Sequence, residues 1–73
     1  MKLLKEFKTP GDEFTAPGAE VLRHNEANKF HPYVTHWRND QDGGFYVGHY
    51  FSNLKDAEDD FEERCRRWRN SNG

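Results

Sequence analysis

The clearest pattern of apolar and polar positions lies in residues 30–51. The runs FHPYVTHWR (30–38) and GFYVGHYF (44–51) are dense in Phe, Tyr, Trp, Val and Thr, residues that suit a pleated, half-buried surface. NDQDGG separates them, and its glycines can adopt the positive φ that tight hairpin turns demand. An antiparallel β-hairpin over 30–38 and 44–51 is predicted. Pro32 has no amide hydrogen for a ladder, so regular pairing should begin after it or on an outer edge.

The period then changes. In SNLKDAEDDFEERCRRWRN, the residues Leu54, Ala57, Phe61, Cys65 and Trp68 recur at steps of three and four, which draws one apolar stripe on a helix. Ser52 or Asn53 can cap its first turn. Asp56, Glu58, Asp59 and Asp60 come early and Arg64, Arg66, Arg67 and Arg69 late, the order that the helix dipole favours. Asp60–Arg64, Glu62–Arg66 and Glu63–Arg67 are acid-first pairs four residues apart. These features predict a C-terminal helix over 53–69 and a frayed tail at 70–73.

The first third is less regular. Pro10-Gly11 and Pro17-Gly18 are turn signals. They isolate MKLLKEFKT, read as an edge strand or an extended arm. AEVLRHN (19–25) reads as a strand leading into the polar loop NEANK; a helix over 19–28 would show too narrow an apolar stripe to dock. The expectation is a single α+β domain over 1–73. A small antiparallel sheet, made of the hairpin and one or two N-terminal strands, would pack on the helix, with residues 1–18 forming an arm and turns.

Side chains alternate along a strand, so the hairpin can be sorted into faces. With Arg38 opposite Phe45, one face carries Val34, His36, Phe45, Val47, His49 and Phe51, a natural seat for the helix. The other carries Tyr33, Thr35, Trp37, Tyr46, Gly48 and Tyr50. Aromatic rings with polar tips are frequent anchors at interfaces. The second face is therefore either roofed by the N-terminal segment, through Leu3, Leu4, Phe7 or Phe14, or open to a partner.

Composition narrows the functions. Leu, Val and Phe total 13 of 73 residues and Ile is absent, a content near the border of disorder, but the net charge of −2 is small. An aromatic core accounts for a folded chain. A near-neutral charge argues against a general polyanion binder. Cys65 is the only cysteine, which excludes an internal disulfide and, with no signal-like N-terminus and no run of membrane-spanning length, points to a cytoplasmic protein.

Candidate chemistry is sparse. His24, His31, His36, His49 and Cys65 occur without zinc-ligand spacing, so no metal site and no cofactor are expected. Cys65 belongs to the helix stripe and reads as core rather than nucleophile. There is no phosphate-binding glycine loop and no nucleophile elbow, and a non-enzymatic module follows. The expected activity is protein binding, adaptor-like or inhibitor-like, through Tyr33, Trp37, Tyr46, Tyr50 and Arg38 with support from the charged helix. A sheet edge also suits a homodimer. The alternative is a nucleic-acid-binding module that stacks bases on the strand aromatics and holds phosphates with Arg64, Arg66, Arg67 and Arg69.

Overall fold

The computed structural model describes residues 1–71. It contains strands β1 (Lys2–Thr9), β2 (Gly18–His24), β3 (Tyr33–Asn39) and β4 (Phe45–Phe51), followed by helix α1 (Leu54–Ser71). The strands form one antiparallel sheet in the order β1-β2-β3-β4, and the helix crosses one face of it, touching β2, β3 and β4. This is the α+β architecture expected from the hairpin and the helical stripe. The N-terminal segment contributes two complete strands rather than an arm. The helix runs to Ser71, two residues beyond its expected end; the rest of the expected frayed tail lies outside the described residues.

Turn chemistry joins the strands. After β1, the Asp12 carboxylate accepts hydrogen bonds from the amides of Phe14 and Thr15. After β2, Asn25 and Asn28 bind the amides of Ala27, Phe30 and His31 in the same local way. The β3–β4 turn closes with Gly43 at φ 71°, while the Asp42 carboxylate accepts from the Gly44 amide and the Tyr46 hydroxyl. Asn53 caps α1: its side-chain oxygen accepts the Asp56 amide, and its nitrogen donates to the Asp56 carboxylate.

The core sits between sheet and helix. Ala57, Phe61 and Cys65 of the helix stripe are buried against Leu22, with Phe7, Tyr33 and Phe51 packed around them. Leu54, at the start of the stripe, stays exposed. Burial raises the Cys65 thiol above its ordinary pKa, with Glu62 and Glu20 adding to the effect, so this residue serves as packing.

The register places Arg38 opposite Phe45, as assumed in sorting the faces, yet the helix covers the other face. Thr35 is fully buried and donates to the Asp60 carboxylate of α1. Leu22 pairs across to Thr35 and Glu20 to Trp37, so the core leucine of β2 shares a face with Tyr33, Thr35 and Trp37. Sorting the hairpin alone could not reveal this, because β2 decides it.

A second correction concerns β4. Pairing jumps from Trp37↔Tyr46 to Thr35↔His49, so β4 carries one extra residue. This bulge reverses the alternation beyond it. His49 and Phe51 join Thr35 and Tyr33 on the helix side, and Tyr50 joins Val34 on the open side. His36 and His49 therefore lie on opposite faces. Val47 takes the strain of the bulge at φ 55°, a conformation that a β-branched residue adopts only under constraint.

Three substitutions at two positions probe this frame. A Cβ at Gly18 would lie 2.2 Å from the Arg38 carbonyl oxygen and 2.6 Å from the Trp37 ring, so Gly18→Ala should cost about 2 kcal/mol by overpacking. Val47→Gly should instead stabilise the protein by about 1 kcal/mol, because relief of positive-φ strain outweighs the greater freedom of glycine when unfolded. Val47→Ala should give no such gain. Urea unfolding of the three variants tests both expectations.

Candidate functional site

Two regions collect chemically capable side chains. The first is a polar seam between helix and sheet. Glu20 is an acid on an inward position of β2, and its carboxylate accepts from Arg64 at 3.2 Å and from the Trp68 indole at 2.6 Å. Arg64 is equally buried. It also donates to Asp60 at 2.9 Å and to the Val47 carbonyl. Asp60 further accepts from Thr35 and lies 3.3 Å from the His49 ring. Burial alone would raise the Asp60 carboxyl, but the bonds from Thr35, Arg64 and His49 and the Arg64 charge outweigh it and hold the group below the usual carboxylate range.

Beside this seam lies a cleft of about 360 Å³, walled by Trp37, Trp68 and Val47, with Thr15 and Arg67 at its margin. Its walls are mainly apolar, and Glu20 and Arg64 at its base hold each other. The Trp37 indole donates to Thr9 Oγ1, which pins one wall across β2 to β1.

The second region is the face of the sheet opposite the helix. Cross-strand pairing sets Leu3, Arg23, Val34 and Tyr50 in one row, and Lys8, Ala19, Arg38 and Phe45 in another. Val21 and His36 pair between these rows. The Phe45 ring stacks on His36 with centroids 4.3 Å apart, and the Arg23 guanidinium lies 4.3 Å from the Phe45 centroid. Val21, Val34 and His36 are buried among these larger neighbours. Arg38 bonds Glu6 and Asp40, and Lys8 also reaches Asp40.

The residues expected to form one binding surface are divided by this arrangement. Tyr33 packs at the core and Trp37 lines the cleft, both on the helix side. Tyr46 remains 45% exposed and Tyr50 65%, on opposite sides of the bulge. Arg38 lies on the open face in its ion-paired cluster. The N-terminal segment roofs neither face, because β1 extends the sheet in its own plane and Phe14 projects into solvent. Of the helix arginines, Arg64 is buried, Arg66 and Arg67 pair with Glu63, and Arg69 pairs with Glu62 and lies over Phe7. The expected Glu62–Arg66 pair is thus replaced.

Glu20 and Arg23 escaped the sequence reading. The signal for Glu20 was its two-residue spacing from Leu22, which set a charge on the core side of a strand. No local signal marked Arg23, whose neighbours come from β1, β3 and β4. Among the described residues, no three His, Cys, Asp or Glu side chains gather as a metal site. Among the described residues, no helix is long and apolar enough to cross a membrane. Comparison with protein-family models, curated proteins and solved structures found no match.

His36 makes acid stability measurable. Burial, followed by the charges of Arg23 and Arg64, lowers its pKa from 6.5 to about 4. Between these values the unfolded chain binds a proton that the folded chain lacks, so stability falls with acidification. The His36 contribution should be constant above about pH 7 and should decline by ~3 kcal/mol as pH drops from 6.5 toward 4. His36→Leu should flatten that interval. Urea midpoints taken across the range give the comparison.

Proposed function

We propose that this chain is a small non-enzymatic module that binds a protein partner through strand β4 and the adjoining open face of the sheet. One observation carries the reading: six of the seven residues of β4 are exposed, and four of those are Phe45, Tyr46, Val47 and Tyr50. An edge strand with so many apolar side chains in water is unusual unless something seats on it. The opposite edge differs. Lys2, Lys5 and Lys8 punctuate β1, and edge lysines discourage strand pairing. The β4 edge carries no lysine, and outside its bulge it also suits a second copy of the chain.

The non-catalytic reading is supported by the way Glu20, Asp60 and Arg64 engage one another, which leaves none poised as an acid or base. A cytoplasmic location fits the lone buried thiol. The nucleic-acid alternative draws little support, since Arg64 is buried and Arg66, Arg67 and Arg69 each face a carboxylate.

Capture of the native partner from nuclease-treated extract tests the proposal. Phe45→Ala and Tyr50→Glu should each weaken capture at least roughly tenfold, as expected of interface anchors, with the circular dichroism spectrum unchanged. Trp37→Ala should lower stability by about 3 kcal/mol instead, because it removes a packed ring. Retention of the partner by both β4 variants would refute the surface. A steep salt dependence would shift the case to nucleic acid.

A further inference from the structure

Arg23 stands apart from the other arginines. Arg38, Arg64, Arg66, Arg67 and Arg69 each have a carboxylate within 4 Å; among the described residues Arg23 has none, and its guanidinium lies over the face of Phe45. Stacking on an aromatic ring orients a guanidinium while leaving its edge donors available. Arg23 is half-buried, flanked in its row by Leu3 on one side and by Val34 and Tyr50 on the other. Leu3 and Tyr50 are exposed.

A second observation marks the same place. His36 stacks beneath Phe45 and retains 7% of its exposure, yet its Nε2 has no hydrogen-bond partner in the protein. A buried polar atom without a partner is uncommon in a folded domain. Arg23, which faces no carboxylate, and His36, whose buried Nε2 has no partner, thus both lie against the ring of the same exposed phenylalanine.

We propose that the Arg23–Phe45–His36 stack is a receptor for a single carboxylate, carried by an apolar segment of the protein that docks on β4. This rests on the surface reading above and specifies its ligand chemistry. A carboxylate matches the planar fork of arginine with two parallel hydrogen bonds. Apolar side chains next to it would cover Leu3 and Tyr50. A phosphate chain fits less well: the neighbouring cations Arg38 and Lys8 are already paired with Glu6 and Asp40, so one unmatched positive charge remains.

Nuclear magnetic resonance titration of the full chain distinguishes the sources of the carboxylate. The probes are acetyl-Phe-Glu-Phe-amide, with a side-chain carboxylate; acetyl-Phe-Gln-Phe with a free C-terminus; and acetyl-Phe-Gln-Phe-amide, which has neither. A thymidine oligonucleotide serves as the polyanion. One carboxylate peptide should bind in the millimolar range and shift the Arg23 side-chain and Tyr50 ring signals, at least roughly tenfold more tightly than the neutral peptide, the usual increment for a charge-assisted pair. Arg23→Gln should erase the preference, Arg23→Lys should reduce it, and Arg66→Gln should leave it intact.

Equal affinity for charged and neutral peptides, with shifts at Phe45 and Tyr50, would overturn the carboxylate receptor and leave the β4 surface standing. Absence of any shift at β4, together with native capture insensitive to Tyr50→Glu, would remove both. Preference for the oligonucleotide over every peptide, or a carboxylate preference that survives Arg23→Gln, would also overturn the inference.

Discussion

The structure turns on the buried ion pair between Glu20 and Arg64. Each side chain is more than nine-tenths hidden, and each is satisfied several times over: Glu20 by Arg64 and Trp68, Arg64 by Glu20, Asp60 and the Val47 carbonyl. Such a pair adds little net stability over an apolar replacement, but losing one member costs several kcal/mol because the other is stranded. Its main effect here is geometric. It joins β2 to the later half of the helix, while Asp60 extends the seam to Thr35 and His49.

Three features follow from that attachment. The helix lies on the side of the sheet where Glu20 and Leu22 point, which draws Tyr33, Thr35 and Trp37 inward. The Val47 carbonyl is held by Arg64, which supplies a constraint able to maintain a β-branched residue at positive φ. The resulting bulge turns Tyr50 to the opposite face, beside Arg23. A strained residue and an exposed aromatic strand thereby share one cause.

The two faces meet different conditions. The helix side combines a small apolar cluster with charged groups that answer one another. Among the described residues the other side has no helix, and Phe45 covers His36 with Arg23 against the same ring. That self-made roof keeps a histidine neutral under an aromatic ring and leaves an arginine edge without an acid. A fold this small has little core to spare, and β4 leaves Phe45, Tyr46, Val47 and Tyr50 outside it.

Much of the fold was legible along the chain because its causes are local. Asn39 to Gly44 carries the turn chemistry of the hairpin, Asn53 and the ordered charges delimit the helix, and the Ala57, Phe61 and Cys65 spacing draws its buried stripe. The Arg38↔Phe45 register, supposed for sorting the hairpin, is the one the sheet adopts. The grouping of Tyr33, Trp37, Tyr46 and Tyr50 could not be read along the chain. Alternation assigns side chains to two faces but does not say which face receives the helix, and a single extra residue in β4 exchanges the faces partway along. The tertiary structure decided both, through a salt bridge spanning 44 residues of sequence: the energy of burying Glu20 depends on Arg64 being opposite it, and no stretch of local sequence contains the two.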